Sequence, residues 1–324
     1  MKPLHSRRTF LTRTAGFSLA TAFSPRLVFG AESSTPSRKW KMCLSPGSIG
    51  VTANPREAVA LAHKHGFEAV EPNAGFLDGL SAAELSEWQA DMKAKGLAWG
   101  AAGLPVEFRG DDAKFRAGLA GLPKQAAALQ RAGVDRVGTW ISPGHSQLTY
   151  LENFRQHAKR LREVAHLLRD QGQRLGLEYV GTPTARQGRR YPFIHSMREA
   201  QELIAEIGTG NVGLVLDSWH WWTARETEVD LLALKAADVI SVDLNDAPSG
   251  IPLEQQQDGK RELPCATGVI PLAAFLNALQ QIGYEGPARA EPFNKAVNDL
   301  TDDAACAAVS TALRKAATLL KPKS

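Results

Sequence analysis

Short apolar runs alternate with longer helix-like segments along almost the whole chain from Lys41 onward. The runs are typical of buried strands, and in the longer segments apolar residues recur every three or four positions, as on one face of a helix. This alternation predicts repeated βα units around a parallel sheet. The predicted strands lie near 41–44, 69–71, 98–101, 136–139, 174–180, 213–217, 239–244 and 287–291. Eight such units favour an α/β fold closed as a (β/α)8 TIM barrel over a doubly wound sheet, which usually has about five or six strands.

The predicted helices begin and end at residues suited to those positions. They cover 55–65, 82–95, 115–132, 153–170 and 272–282. Pro55 follows Asn54 and suits the first turn of a helix, where a missing N–H costs nothing. The glycines expected to end helices before the next strand are Gly66, Gly96, Gly133 and Gly283.

One glycine motif, from Gly208 to Gly213, matches the dinucleotide-binding fingerprint literally. That fingerprint needs a strand before it and a helix after it, so that the phosphates meet a helix N-terminus. Here a predicted helix precedes the motif and a predicted strand follows it. We therefore interpret it as a helix end with a tight turn.

The first 31 residues have the pattern of an export leader. Arg7 and Arg8 form a twin-arginine pair before a modestly apolar stretch, and no acidic residue occurs before Glu32. The pattern predicts export through the twin-arginine machinery to the periplasm or another extracytoplasmic space, with 32–324 as a single barrel domain. A basic tail without a targeting role and a retained membrane anchor are the alternatives.

The chain has a net charge of +4, and its excess of basic residues lies in this leader. Residues 1–31 contain five basic side chains and no acid, so their removal leaves a formal charge of −1. A nearly neutral domain gives no electrostatic footprint for nucleic acid, and no later segment reaches the roughly 20 apolar residues of a membrane span. The three widely spaced cysteines predict no disulfide framework.

Four predicted strands end in a carboxylate: Glu178, Asp217, Asp243 and Glu291. The carboxyl ends of barrel strands meet on one face, and that face carries the active site in TIM barrel enzymes. Four converging carboxylates suit a divalent cation that prefers oxygen ligands.

Several strings in the second half of the chain carry a family resemblance. They are Glu-Tyr-Val-Gly from Glu178, Leu-Asp-Ser-Trp-His-Trp from Leu216, Leu-Asn-Asp-Ala-Pro from Leu244, Arg-Glu-Leu-Pro from Arg261 before Thr-Gly-Val-Ile, and Gly-Tyr-Glu-Gly-Pro before Glu-Pro-Phe at Glu291. In this order they resemble the sugar phosphate isomerase/epimerase family with the xylose isomerase-like barrel. The resemblance covers about residue 40 to the end and implies a metal-dependent enzyme acting on a small carbohydrate.

The same resemblance implies that Glu178, Asp217, Asp243 and Glu291 are the metal ligands. Many relatives have histidine at the position of Asp243. Either the site persists with carboxylate ligands alone, which favours Mn²⁺ or Mg²⁺ over Zn²⁺, or the change weakens metal binding. The sequence leaves both interpretations open.

The implied chemistry is proton transfer beside a ketone. Glu178 and Glu291 are the expected catalytic pair, with one carboxylate removing a proton and the other returning it. His220, Arg261, Glu71 and Asn245 are expected to bind the substrate. For His220 the alternative is a structural role. For Arg261 the alternatives are to position an acidic ligand by a bidentate ion pair and to be a solvated loop charge.

Epimerisation, aldose–ketose isomerisation and loss of a β-hydroxyl share these requirements. A metal-dependent isomerase or epimerase of a small keto-sugar or polyol is therefore the leading hypothesis. The alternatives are a lyase, dehydratase or hydrolase acting on an oxidised sugar at the same site, and a non-catalytic exported carbohydrate-binding barrel. The sequence does not determine the oligomeric state, and a homo-oligomer is among the open alternatives.

Overall fold

The computed structural model describes residues 38–322, so the predicted leader lies outside the described residues. The strands of the barrel are β1 (Lys41–Leu44), β2 (Ala69–Val70), β3 in two segments (Ala98–Trp99 and Ala102–Gly103), β4 (Arg136–Trp140), β5 (Arg174–Glu178), β6 (Val212–Asp217), β7 (Val239–Leu244) and β8 (Pro287–Ala290). The helices are α1 (Pro55–Lys64), α2 (Ala74–Asp78), α3 (Ala82–Ala94), α4 (Asp112–Arg131), α5 (Tyr150–Arg169), α6 (Met197–Ile207), α7 (Ser218–Thr223), α8 (Glu228–Leu232), α9 (Leu272–Gln281), α10 (Lys295–Asn298) and α11 (Asp302–Ala317). None of the described helices is both long and apolar enough to cross a membrane.

The sheet is parallel and closes on itself through β3. Its order runs from the first segment of β3 through β2, β1, β8, β7, β6, β5 and β4 to the second segment of β3. The two ends of this order are consecutive pieces of one strand, so the sheet forms a ring. The structure thus confirms the predicted α/β barrel.

Gly100 stands at the interruption of β3. Its N–H donates to the carbonyl of Val70 on one side, whereas Leu104 bonds to Gly138 on the other side. A Cβ at Gly100 would lie 2.6 Å from Cys43 Sγ, far inside contact distance. The strand therefore changes partner at a residue that has no side chain to place.

The predicted helix boundaries agree with the observed ones within a few residues. The Asn54 side chain accepts hydrogen bonds from the backbone of Arg56 and Glu57, and Pro55 is the first helical residue. This arrangement is a capping box, which satisfies N–H groups that have no partner within the helix. Gly208 ends α6 with a φ of 67°, and β6 begins at Val212. The dinucleotide-like motif is therefore a helix end, as predicted.

Two short segments outside the barrel join the loops that follow β4 and β5. Gly144–His145 pairs antiparallel with Tyr191–Pro192. This pairing fixes both loops over the carboxyl end of the barrel, where β4 and β5 are neighbours. This pairing was not predicted from the sequence.

Candidate active site

Four carboxylates lie together at the carboxyl end of β5 to β8. Glu178, Asp217 and Asp243 are in or at the end of their strands, and Glu291 follows β8 directly. One oxygen from each of these four residues lies within 4.8 Å of those of the others. Their convergence follows from the register, in which Asp217 of β6 is the neighbour of Asp243 of β7.

Arg289 neutralises one side of the cluster. Its guanidinium donates to both oxygens of Asp243, with Nε–Oδ1 and Nη2–Oδ2 distances of 2.7 and 2.9 Å. It also donates to Glu291 Oε1 at 3.0 Å and to Glu71 Oε2 at 3.2 Å. Asp243 is fully buried, and this bidentate pair supplies the countercharge that a buried carboxylate needs.

Arg261 neutralises the other side. Its Nη1 lies 2.7 Å from Asp217 Oδ2 and 3.3 Å from Glu291 Oε2, and its Nη2 lies 2.8 Å from Asp258 Oδ1. The guanidinium is 1% exposed, so these ion pairs are shielded from water. The charges of Asp217, Asp258 and Glu291 hold the pKa of Arg261 well above its usual range, despite the opposing effect of burial.

Asn245 holds two of the carboxylates in place. Its side-chain N–H group donates to Asp217 Oδ1 at 2.9 Å, and its oxygen accepts from the backbone N–H of Glu291 at 3.1 Å. The backbone N–H of Trp219 donates to the same Asp217 oxygen. Asp217 is therefore oriented from three sides before any ligand binds.

His220 lies behind the carboxylates rather than in open space. It is 1% exposed, with Nε2 3.2 Å from Arg261 Nη2 and 4.0 Å from Glu178 Oε1. The backbone N–H of Gly181 faces Nδ1 at 3.3 Å, and because a neutral imidazole keeps one N–H, the ring accepts a hydrogen bond from only one of these two groups. Both ring nitrogens thus face donors, and burial together with the charge of Arg261 lowers the pKa of His220 to about 3. The imidazole is neutral at neutral pH.

A Cβ on Gly181 would collide with the carbonyl oxygen of His220. The turn after β5 can approach α7 this closely only because residue 181 has no side chain. The close approach explains how Gly181 reaches the ring of His220.

A cavity of about 140 Å³ opens beside the cluster. Glu71, Glu178, Glu291 and Arg289 line it, together with Trp140 from the end of β4. Of the four residues expected to bind substrate, Glu71 lies on this wall. His220, Arg261 and Asn245 are buried and form the layer behind it, and their direct contact with a substrate stays a prediction.

The two expected catalytic carboxyls have raised pKa values. Burial and the neighbouring charge of Glu291 raise the pKa of Glu178 well above its usual range. Burial raises the pKa of Glu291 to about 7, although Arg289 opposes this. The shift of Glu291 brings its pKa to neutral pH, where a carboxylate is a more effective base than at its ordinary pKa.

The donor set fits a hard divalent cation. Glu178 Oε1 is buried and has no hydrogen-bond partner among residues 38–322, which leaves a carboxylate oxygen available as a ligand. The other three residues also offer carboxylate oxygens, each of which can accept more than one contact. Oxygen-only donors are typical of Mg²⁺ and Mn²⁺ sites.

Sequence reasoning missed Arg289. The residue stands two positions before Glu291 in β8, and side chains two apart in a strand face the same side of a sheet. That spacing was the available signal for a cation inside the cluster. Trp140, at the end of β4, was also missed, although it lies beside Glu178 in register.

A buried carboxyl next to the site provides a stability test. Glu226 accepts hydrogen bonds from the Tyr179 hydroxyl and the Met197 N–H, and burial raises its pKa from 4.5 to about 7. Between these pH values the folded state binds a proton that the unfolded state has lost, so stability falls as pH rises. The loss is on the order of 3 kcal/mol.

We expect Glu226→Gln to flatten this part of the profile, because glutamine stays neutral at every pH. The substitution also removes one hydrogen bond at every pH, which lowers stability by a constant amount. The informative quantity is therefore the slope of the free energy of unfolding against pH, and not its absolute value. Urea denaturation between pH 4.5 and 8 measures the slope. Equal slopes for the variant and the wild type would contradict the assignment.

Comparisons with known proteins agree with this architecture. The family model described as the xylose isomerase-like TIM barrel matches residues 59–318. A xylose isomerase domain protein from Alicyclobacillus acidocaldarius is 32% identical, with a TM-score of 0.76 over 86% of this chain and 99% of that one.

Two further relatives were found. The inosose isomerase of Bacillus velezensis is 25% identical over 267 residues, which cover 81% of this chain and 91% of the relative. The structure of the IOLI protein with a bound zinc atom is 21% identical and has a TM-score of 0.71 over 86% of this chain and 98% of that one. With a family model matched over most of its length, the chain belongs to the xylose isomerase-like TIM barrel family.

Proposed function

We propose that this protein is a metal-dependent isomerase or epimerase of a small keto-sugar or a related cyclic polyol ketone. The observation that carries the proposal is a cavity lined by Glu178, Glu291 and Arg289 beside a cluster of four carboxylates, in which Glu178 Oε1 has no hydrogen-bond partner among the described residues. The relative named inosose isomerase supports an isomerase of sugar-like substrates.

Glu178, Asp217 and Glu291 would hold the metal, with Asp243 as the fourth ligand when Arg289 yields one of its oxygens. Carboxylate ligands alone favour Mn²⁺ or Mg²⁺, and the zinc bound to the IOLI protein, which has the same fold, supports a divalent cation as cofactor. When bound, the metal polarises the substrate carbonyl and neutralises the negative charge that develops on its oxygen.

The side chains on the wall supply the proton transfer. Glu178, with its raised pKa, removes the proton from the carbon beside the ketone, and Glu291 returns one from its own side of the substrate. Return to the same carbon gives an epimer, and return to its neighbour gives an aldose–ketose pair. Both reactions require the same two carboxyls.

Arg289 has a separate part in this scheme. It lines the cavity, and about a quarter of its side chain is exposed, whereas Arg261 is enclosed. Its Nη1 donates to Ser45 Oγ and Glu71 Oε2 at 3.3 and 3.2 Å, the longest of its hydrogen bonds. One of these N–H groups would turn to a substrate oxygen, and the guanidinium would keep its charge. Arg289 would therefore hold the substrate, and Arg261 would hold the carboxylates.

Proton exchange from solvent tests the proposal. We expect the purified protein with Mn²⁺ to incorporate deuterium from D₂O into the carbon next to the carbonyl of an inosose or ketohexose, with the product detected by NMR. Loss of activity on chelation and its return with Mn²⁺ or Mg²⁺ would establish the metal requirement. No exchange with any of these ketones or with a keto-disaccharide in the metal-loaded protein would overturn the proposal.

The same experiment separates the competing reactions. A dehydratase or other lyase would release water or an aglycone, and the NMR spectrum would show an unsaturated or cleaved product instead of an isomer. Ligand binding without any turnover would indicate a carbohydrate-binding barrel.

We also propose that residues 1–31 direct export through the twin-arginine machinery. The paired Arg7 and Arg8 before an apolar stretch support this. Replacing both arginines by lysine is expected to leave the protein in the cytoplasmic fraction. If the variant is found in the same fraction as the wild type, residues 1–31 do not act as a twin-arginine leader.

A further inference from the structure

A second and larger cleft lies on the other side of Trp140. Its volume is about 520 Å³, within the roughly 300–1,000 Å³ typical of ligand sites. The carboxylate cavity, at about 140 Å³, has room for one small ring at most. Trp140 lines both spaces, so a molecule that passes this side chain touches both. We call the larger space the outer cleft.

Two of the residues that line the outer cleft, Asn153 and His157, each carry a buried acceptor with no partner among residues 38–322. His157 Nδ1 lies 2.9 Å from the carbonyl oxygen of Asn153, which fixes the proton on Nδ1 and leaves Nε2 as an acceptor. Neither His157 Nε2 nor Asn153 Oδ1 has a hydrogen-bond partner within the described part of the chain. The two residues are 1% and 2% exposed.

Buried acceptors without a partner are uncommon in folded proteins and destabilise the folded state. Burial lowers the pKa of His157 to about 3, so the ring stays a neutral acceptor at physiological pH. The groups that satisfy such acceptors are hydroxyl or N–H donors. An anion such as phosphate would add further acceptors to a site that already has two.

The rim of the outer cleft offers an aromatic face and donors. Trp140 is 46% exposed, and the guanidinium of Arg109 lies 4.4 Å from the centre of its ring. His145 Nδ1 accepts from the backbone of Gln147 and Leu148, so its proton is on Nε2. Arg189 adds a further donor at the exposed edge. A flat apolar face beside both donors and acceptors suits a polyhydroxylated ring.

We propose that the outer cleft binds the second sugar ring of a glycoside whose keto-sugar ring occupies the carboxylate cavity. The substrate class is then a keto-disaccharide or another keto-glycoside with a hydroxyl-rich partner ring, rather than a free monosaccharide. This inference rests on the proposed function, since it uses the carboxylate cavity as the reacting site. The adjacency of the two spaces at Trp140 and the two unpartnered acceptors carry it.

Calorimetry on the full chain loaded with Mn²⁺ tests the inference, with D-fructose as the single-ring probe and the glucosyl-fructoses isomaltulose and turanose as two-ring probes. We expect at least one disaccharide to bind ten-fold or more tightly than fructose. Arg189→Ala and Asn153→Ala are expected to reduce this ratio by at least five-fold. Val229→Ala, an exposed position on α8, is the control and should not alter it.

The outcomes separate the two proposals. Deuterium exchange into fructose without tighter disaccharide binding would overturn the outer-cleft inference and leave the proposed function standing. Absence of both binding and exchange for all three sugars would overturn both. Because Asn153 is buried, the melting temperature of Asn153→Ala is measured as well, and Arg189, which is exposed, provides a variant that does not affect the core.

Discussion

Glu178→Gln is expected to lower the rate of deuterium exchange into a keto-sugar by at least about 10³-fold, near the upper part of the range for loss of a general base. Glutamine keeps the shape of the side chain but cannot take a proton. Glu178 Oε1 is buried without a partner among the described residues and is the oxygen available to a metal, so we assign the proton transfer to the other oxygen of the same carboxylate. The fall should appear in kcat, with a smaller change in KM.

The stability of the same variant distinguishes a catalytic role from a structural one. The charges of Glu291, Asp243 and Asp217 repel that of Glu178. Removing the charge of Glu178 should therefore leave the unfolding midpoint of the metal-free protein unchanged or raise it. Loss of activity together with a lower midpoint would indicate damage to the fold instead.

Glu226→Gln is the matched control. It is the same substitution at a largely buried carboxyl outside the cavity, and we expect its exchange rate at pH 7 to stay within about three-fold of the wild type. Exchange in Glu178→Gln at a rate close to that of the control would show that another group removes the proton.

The barrel could be predicted from the sequence because its signals are local. A strand needs only a short apolar run, and a helix start such as Asn54-Pro55 needs neighbouring residues alone. The position of the four carboxylates follows as well, because the ends of adjacent parallel strands meet at one edge. Glu178, Asp217, Asp243 and Glu291 therefore lie where the sequence places them.

The contacts within the site depend on register and on loops, which local patterns do not determine. Arg289 reaches Asp243 because these residues are register partners in β8 and β7. The outer cleft exists because the loops after β4 and β5 pair at Gly144–His145 and Tyr191–Pro192. Both are long-range pairings. The spacing of Arg289 and Glu291 indicates that they share a face of the sheet, but no spacing in a single sequence predicts which residues of other strands or loops they meet.

The pairing of Asp243 with Arg289 leads to the second prediction. We expect Arg289→Met to destabilise the metal-free protein by about 3–5 kcal/mol, the usual cost of removing one partner of a buried ion pair. The substitution leaves Asp243 without its bidentate partner and removes a countercharge from Glu291 and Glu71. Urea denaturation in the presence of a chelator measures the loss. Arg198→Met, at an exposed arginine of α6, is the control and should change stability by less than about 0.5 kcal/mol.

Two further measurements show whether Asp243 is a metal ligand or only the counterion of Arg289. Adding Asp243→Asn to Arg289→Met should recover part of the lost stability, since the uncompensated carboxylate is then gone. Mn²⁺ should stabilise Arg289→Met more than it stabilises the wild type, because the guanidinium no longer competes for the oxygens of Asp243. A ligand present at about 100 times its Kd stabilises the folded state by roughly 2.7 kcal/mol. If instead Mn²⁺ stabilises both proteins equally, Asp243 is the counterion of Arg289 and not a metal ligand, and the metal is held by Glu178, Asp217 and Glu291 alone.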